Sequence, residues 1–283
     1  MSKKRMLVVL AHPDDESFGM GGTLAYYASI GTEVHLVCAT KGEEGELPPE
    51  LSNGNQTIAE IRQAELECAA QTLGLKSVHY LGFRDSGMQG SPSNDDQRSL
   101  YSQPIEEVAD LIFEKIQEIK PQVVITFDPD GGYRHPDHIK VHTATRKAFF
   151  DCIERDSFSG DSKLFIPGSL YYHTISRKIM RGFAKLLKLI GKDPSSFGKN
   201  GDIDINSFIN VDYPIHVKIK TDKFKKVKNK AAACHQSQGG GKFGGWIVTL
   251  AFSLFDRTES FMRAYPPVRK DEHIKYDLFE YKN

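Results

Sequence analysis

The feature that most constrains this chain is a short apolar run, Met6 to Leu10, that passes without a break into Ala11-His12-Pro13-Asp14-Asp15-Glu16. Such a run suits a strand buried on both faces, as strands are inside a parallel sheet. An imidazole and three carboxylates at its end must find partners or a metal ion, because an uncompensated buried charge is costly. A second cluster of the same kind, His135-Pro136-Asp137-His138, follows a second apolar run, Val123 to Phe127. The two clusters are therefore expected to meet at one end of one sheet and to form a single centre.

The stretches between and after them alternate in type. Helices are expected over Gly19 to Ile30, Ile58 to Leu73, Ile105 to Ile119 and Ile139 to Ile153. Strands are expected over Val34 to Ala39, Val78 to Gly82 and Leu170 to Thr174, in addition to the two that lead into the clusters. This alternation predicts an α/β fold of Rossmann-like type, a mostly parallel sheet with helices on both faces. Residues 1–174 are read as the catalytic core and 175–283 as a C-terminal extension that packs on it and caps the crevice. Gln89 to Leu100 is rich in Ser, Asn, Asp and Gly and reads as a mobile polar loop.

Three segments admit two readings each. Glu65 lies on the apolar stripe of the Ile58 helix with Arg62 one turn before it; either both line the site or they form an i,i+3 ion pair at the surface edge. Ile175 to Ile190 reads as a basic amphipathic helix, and a lid or an oligomer contact is favoured over a membrane surface. Lys218 to Lys230 carries seven lysines, but Phe224, Val227, Ala231 and His235 recur at helical spacing. The lysines are then the wet side of a helix, and His235 points inward.

Composition excludes some partners. Lys+Arg and Asp+Glu both number 37, so no overall field draws the chain to nucleic acid or anionic membrane. The apolar part of Met1 to Leu10 is too short for a signal peptide, and the later run Trp246 to Phe255 falls well short of the roughly 20 residues that span a bilayer. No transmembrane segment is expected. Cys38, Cys68, Cys152 and Cys234 form no C-x-x-C pair, so buried reduced thiols are expected rather than a disulfide framework or a thiolate metal site. Those features suit a cytoplasmic protein, with a homo-oligomer left open.

The two clusters have the donors of a catalytic metal site. His12 and Asp15 stand three apart around Pro13 and can converge on one ion, with His138 as third ligand. Two histidines and one carboxylate leave positions open for water and substrate, as catalytic zinc requires, and Fe(II) accepts the same set. Asp14, beside a ligand, is free to act as general base and acid on a metal-activated water. His135, kept protonated and oriented by Asp137, can stabilise an oxyanion, with Tyr133 as a second donor. The competing reading of His12-Pro13-Asp14-Asp15 is a helix N-cap whose carboxylates satisfy backbone amides.

With Ala11 to Glu16, Gly132 to His138, the Arg62-Gln63-Ala64-Glu65 helix, Phe83 to Met88 and His235 to Gln238 in view, the chain resembles the LmbE-like, PIG-L de-N-acetylase family. Its members include glucosaminyl-phosphatidylinositol deacetylases, and the deacetylases and conjugate amidases of sugar-linked thiols. The resemblance implies a Rossmann-like fold, zinc held by His12, Asp15 and His138, and Asp14 as base. It implies that His135, oriented by Asp137, aids the oxyanion and that Tyr133 contributes as a mobile group. It also implies that Arg62 and Asp85 contact the sugar and that His235 closes the pocket.

The expected activity is hydrolysis of an N-acetyl group from a small-molecule N-acetylglucosamine glycoside or glycoconjugate. Cleavage of a larger amide of a sugar–thiol conjugate is the alternative within hydrolases. A non-haem Fe(II) oxygenase and a non-catalytic glycan- or lipid-binding protein are the alternatives outside them.

Overall fold

The computed structural model describes residues 3–52, 54–158, 164–175, 177–197, 201, 204–240 and 257–280. At its centre Arg5–Leu10 (β1) pairs in parallel on both sides, with Glu33–Thr40 (β2) and with Val123–Phe127 (β4). Met6 to Leu10 are at most 1% exposed, which accounts for a run with no polar alternation: both faces of this strand are covered. Ser77–Phe83 (β3) lies outside β2 and Ser169–Thr174 (β5) outside β4, both parallel. The helices of this half are Asp15–Ser29 (α1), Ile58–Leu73 (α2), Ile105–Ile119 (α3), the short Gly131–Arg134 (α4) and Pro136–Phe158 (α5).

Local chemistry sets the helix ends. α2 opens on a capping box between Thr57 and Glu60 and stops at Gly74 in the left-handed region. Two helices begin earlier than expected: α1 at Asp15 rather than Gly19, and α5 at Pro136 rather than Ile139. Proline is at home in a first turn, where its missing N–H has no partner to lose. Asp137 and His138 thus lie in a first helical turn. Because the five strands run parallel, the ends of β1 and β4 lie side by side, and their loops open on the same edge of the sheet.

The residues after 174 continue the sheet. They supply Arg177–Leu189 (α6), Ile205–Phe208 (α7), Val217–Lys220 (β6), Lys225–Cys234 (α8) and Thr258–Tyr265 (β7). The order is β3-β2-β1-β4-β5-β7-β6, with β7 antiparallel to both β5 and β6. α6 buries Met180, Phe183, Ala184 and Leu187 in a separate apolar cluster with Ile205 and Phe208, and Tyr133 packs against it.

Three expectations are corrected here. Lys218 to Lys230 is not one helix, since Val217 and Ile219 are buried and Lys220 is exposed on β6. Nor are all its lysines wet: Lys228 is buried with Nζ 2.9 Å from Glu259 Oε1. The cysteines are not all reduced, because Cys68 on α2 and Cys234 on α8 form a disulfide, while Cys38 and Cys152 are free and buried. Finally, Gln89 to Leu100 folds back on β3, with Arg84 N–H donating to the Arg98 carbonyl and Leu100 fully buried. Trp246 to Phe255 lies outside the described residues, and no described helix is long and apolar enough to cross a membrane.

Candidate metal centre

Three side chains from the two loops converge. His12 Nδ1 is 3.2 Å from His138 Nε2, Asp15 Oδ1 is 3.3 Å from His138 Nε2, and Asp15 Oδ2 is 3.7 Å from His12 Nδ1. Zinc bonds of about 2.1 Å in tetrahedral array separate donors by roughly 3.4 Å. The donor set and its spacing fit a divalent cation.

The second nitrogen of each imidazole is held, which aims the first. His12 Nε2 faces Asp137 Oδ2 at 3.2 Å and Asp85 Oδ1 at 3.3 Å, so Nε2 carries a hydrogen and Nδ1 is the nitrogen that a cation would take. His138 donates from Nδ1 to the Gly131 carbonyl at 3.1 Å and stacks on Phe127 with ring centroids 4.0 Å apart. Its Nε2 is left facing His12 and Asp15. Asp15 Oδ2 accepts the His12 backbone N–H at 2.9 Å, which ties the carboxylate to its own loop.

Burial governs the protonation of this cluster. It works against a charge on His12, yet Asp85, Asp137 and Asp15 outweigh it and raise the imidazole well above its ordinary value. Burial pushes the Asp15 carboxyl up to about 6 against the pull of His12. A cation entering here displaces protons and takes over their role of balancing the carboxylates.

Asp14 departs from the helix-cap reading. It occupies the N-cap position of α1 but makes no side-chain cap hydrogen bond, and its backbone is at φ 124°, ψ −28°. That region is strained for a residue with a Cβ. Its Oδ2 lies 3.1 Å from Arg62 Nη2, and its N–H donates to Glu16 Oε2 at 3.0 Å. Burial lifts the carboxyl to about 7, with Arg62 pulling the other way. Arg62 also donates to the carbonyls of Pro13 at 2.6 Å and Gly42 at 2.9 Å. Gly42 is in the left-handed region, and a Cβ there would overlap the guanidinium.

Arg62 and Glu65 both face inward, but they do not form the alternative pair with each other. Glu65 accepts from Ser237 through its N–H at 2.7 Å and its hydroxyl at 2.6 Å, docking the segment after α8 onto α2.

Other expected site residues occupy different stations. The Asp137 carboxylate accepts the Ser86 N–H at 2.9 Å and the Ser86 hydroxyl and faces His12, so it orients His12 rather than His135. What His135 receives is the Asp137 backbone N–H on Nδ1 at 3.2 Å. Nor is His135 kept protonated: burial, and then the neighbouring His12 and His138, depress it well below its ordinary value. It is a neutral ring carrying its hydrogen on Nε2, with donor atoms of all three imidazoles within 4.8 Å of one another.

Asp85 has its oxygens engaged by the N–H groups of Glu44 at 3.3 Å and Gly87 at 2.9 Å as well as by His12. It backs His12. His235 is fully buried and donates from Nε2 to Glu16 Oε1 at 2.8 Å. Tyr133 stands edge-on to His138, with centroids 5.0 Å apart.

Ser86 and Ser237 are supporting residues that sequence reasoning missed, and Glu16, readable from its motif only as a supporting or helix-start carboxylate, holds both the Asp14 N–H and His235. Glu16 did carry a signal, as a third acid in one motif, but its partner is 219 residues away.

The comparisons agree with this architecture. The family model described as PIG-L, GlcNAc-PI de-N-acetylase, matches residues 7–149. A 1D-myo-inositol 2-acetamido-2-deoxy-alpha-D-glucopyranoside deacetylase of Acidothermus cellulolyticus is 35% identical over 244 residues, covering 83% of this chain and 80% of that protein. One of the same name from Thermomonospora curvata is 38% identical over 210 residues, covering 71% of this chain and 69% of that protein. Among solved structures, the N,N'-diacetylchitobiose deacetylase from Pyrococcus horikoshii superposes with a TM-score of 0.60 at 20% identity, over 92% of this chain and 83% of that one. That last likeness speaks to the fold. The family match takes in both histidine clusters, β1 from Leu7 onward and all of β2 to β4, and the chain belongs to the PIG-L, LmbE-like de-N-acetylase family.

Proposed function

We propose that this protein is a zinc-dependent deacetylase that hydrolyses the N-acetyl group of an N-acetylglucosamine glycoside or glycoconjugate, with Fe(II) acceptable in the same site. The observation that carries the reading is the convergence of His12 Nδ1, His138 Nε2 and Asp15 at tetrahedral spacing, beside a carboxylate held by Arg62. The named relatives act on an acetamido sugar joined to inositol, and that is the first substrate class to try.

In this reading His12, Asp15 and His138 hold the cation, which when bound acidifies water and polarises the acetyl carbonyl. Asp14 accepts a proton from the attacking water and returns it to the departing amine. Arg62 keeps that carboxylate aimed, and the Glu16 contact to the Asp14 N–H fixes the strained backbone beneath it. His135 presents Nε2–H and Tyr133 its hydroxyl to the oxyanion that develops as the amide carbon becomes tetrahedral. Asp137, Asp85 and Ser86 keep His12 in the tautomer that binds the ion.

The protein, loaded anaerobically with zinc or with iron, is incubated with N-acetylglucosamine linked to inositol, malate, phosphoinositide or short oligosaccharides. Acetate and a free amine in equal amounts from at least one of these is the expected result. Sugar–thiol amides are assayed in parallel, and release of only a larger acid from these would establish the amidase alternative instead. Turnover that requires oxygen would overturn hydrolysis, and glycan binding that survives metal removal, with no turnover, would overturn catalysis.

A further inference from the structure

The loop that carries Tyr133 is fixed by different means from the rest of the centre. Gly131, Gly132 and Arg134 all have positive φ, at 62°, 72° and 71°. A backbone of this kind keeps one shape only when its surroundings impose it. Two buried side chains do so at Gly132. Asp128 Oδ1, just past β4, accepts the Gly132 N–H at 2.9 Å and the Asp130 N–H at 3.1 Å. Arg177, the first residue of α6, donates from Nη1 to the Gly132 carbonyl at 2.8 Å, and its Nη2 lies 3.2 Å from Asp128 Oδ2. The N–H and carbonyl of one residue are thus held by an acid and a base that are themselves paired. Both side chains are at most 1% exposed, and the guanidinium lies over the rings of Phe208 and Tyr213 at 5.2 and 5.7 Å.

The next residue is Tyr133. Its ring touches the α6–α7 cluster on one side and stands edge-on to His138 on the other. The metal-ligand arm of the loop shares a peptide with this lock, since the Gly131 carbonyl and the Gly132 N–H belong to one unit. Gly131 N–H donates to the Asp128 carbonyl at 2.8 Å, and the Gly131 carbonyl receives His138 Nδ1. Arg177 thus bears directly on the peptide that leads into Tyr133, and on the His138 side only through Asp128. A buried ion pair is weak evidence of a stabilising role, because apolar residues of the same volume often serve as well or better.

We propose that Arg177 is a positioning residue for the reaction, which through its pair with Asp128 fixes the Gly132 peptide and holds Tyr133 in place over the metal centre. The C-terminal helix α6 is on this account part of the catalytic apparatus. The inference rests on the reading of Tyr133 as an oxyanion donor.

The test uses the zinc-loaded full chain as wild type, Arg177→Met, Arg177→Lys, Tyr133→Phe and the double variants. Acetate release from the fastest substrate of the panel above, zinc content and hydrogen exchange across 131–135 are measured on each. Arg177→Met is expected to lower kcat by about 10- to 100-fold, the scale of a misplaced catalytic group. KM should stay within about threefold, zinc should remain stoichiometric, and exchange across 131–135 should quicken. In the Tyr133→Phe background the same change should cost less than about threefold, since its target is already gone. Arg177→Lys keeps the charge but not the fork, and gives an intermediate loss if the Met variant fails to fold. Loss of zinc in parallel with activity, fully multiplicative losses in the double variant, or unchanged exchange across 131–135 would each overturn the proposal. Wild-type kcat in Tyr133→Phe sinks the Tyr133 reading itself, and the exchange measurement still decides whether Arg177 holds the loop.

Discussion

Glu16 offers a quantitative test of how the centre is supported. It is fully buried and accepts from the Asp14 N–H at 3.0 Å, the Ser17 hydroxyl at 2.6 Å and His235 Nε2 at 2.8 Å. Glu16→Gln keeps the shape but leaves one oxygen for donors that use two. An amide NH2 then faces a donor, either the Asp14 N–H or the His235 and Ser17 pair. A lost charge-assisted bond and a stranded buried donor together cost about 3 kcal/mol. The pH dependence follows from the two shifts. Burial opposes the Glu16 charge, but His235 and the hydrogen bonds prevail and hold the carboxyl below its ordinary value. Burial likewise opposes the His235 charge, but Glu16 prevails and raises it. The lowered acid contributes stability above its unfolded pKa and loses it as pH falls through the folded value. The raised imidazole contributes fully below its unfolded pKa and loses it as pH rises through the folded value. The stability gap between wild type and Glu16→Gln is therefore widest between about pH 4.5 and 6.5 and narrows at pH 9. Urea unfolding at pH 5.5 and 9 measures it. A gap below about 0.5 kcal/mol at pH 5.5, or an equal gap at both, would refute this account of the pair, since neutral surface changes have effects that small.

Asp14→Asn should lower acetate release by about 10²- to 10⁴-fold with zinc retained, which metal analysis beside the kinetics checks. Since burial, opposed by Arg62, raises the Asp14 carboxyl to about 7, and the base works deprotonated, wild-type activity should climb with pH up to that region. A bound cation draws this limb to lower pH, and the Asn variant should lack it in a pH–rate profile. Chelation should abolish turnover and one equivalent of zinc should restore it, whereas His12→Ala should no longer take up metal. Reduction of Cys68–Cys234, or Cys68→Ser, releases a 166-residue link and should cost up to about 5 kcal/mol by loop closure, read as a lower urea midpoint.

The core was legible because its strands announce themselves. Met6 to Leu10 and Val123 to Phe127 are unbroken apolar runs, and only strands covered on both faces can be so. The acidic and imidazole residues after them could be placed by chain direction alone. The antiparallel edge was harder. Val217-Lys218-Ile219-Lys220 has the period of two that marks a half-buried strand, but the seven lysines that follow one another through Lys230 drew attention to helical spacing instead. β7 shows the same alternation, with Glu259, Phe261 and Arg263 inward, yet two of its three inward residues are charged. Their partners, Lys228 for Glu259 and Glu272 for Arg263, are visible only in the fold. The Cys68–Cys234 bond and the work of Ser86 are of the same kind, pairings between segments that no local pattern links.

The motif at β1 holds three consecutive acids, and consecutive acids repel. Asp15 indeed raises Asp14, and Glu16 raises Asp15, though burial is the larger influence on each. The structure resolves the conflict by giving each acid a different cation or proton donor: Arg62 from α2 for Asp14, the imidazoles for Asp15, His235 from the end of α8 for Glu16. A regular helical start would turn successive side chains by a fixed step on one cylinder. The positive φ of Asp14 breaks that step, so the base stands apart from the first turn that carries Asp15 and Glu16. Glu16 then holds the N–H of the strained residue, which couples the distortion to the C-terminal extension through His235. On this view the strain at Asp14 is what allows three consecutive acids to serve as the proposed base, metal ligand and brace without placing like charges on one spot. It also explains why the site needs residues from well beyond the region that the two histidine clusters define.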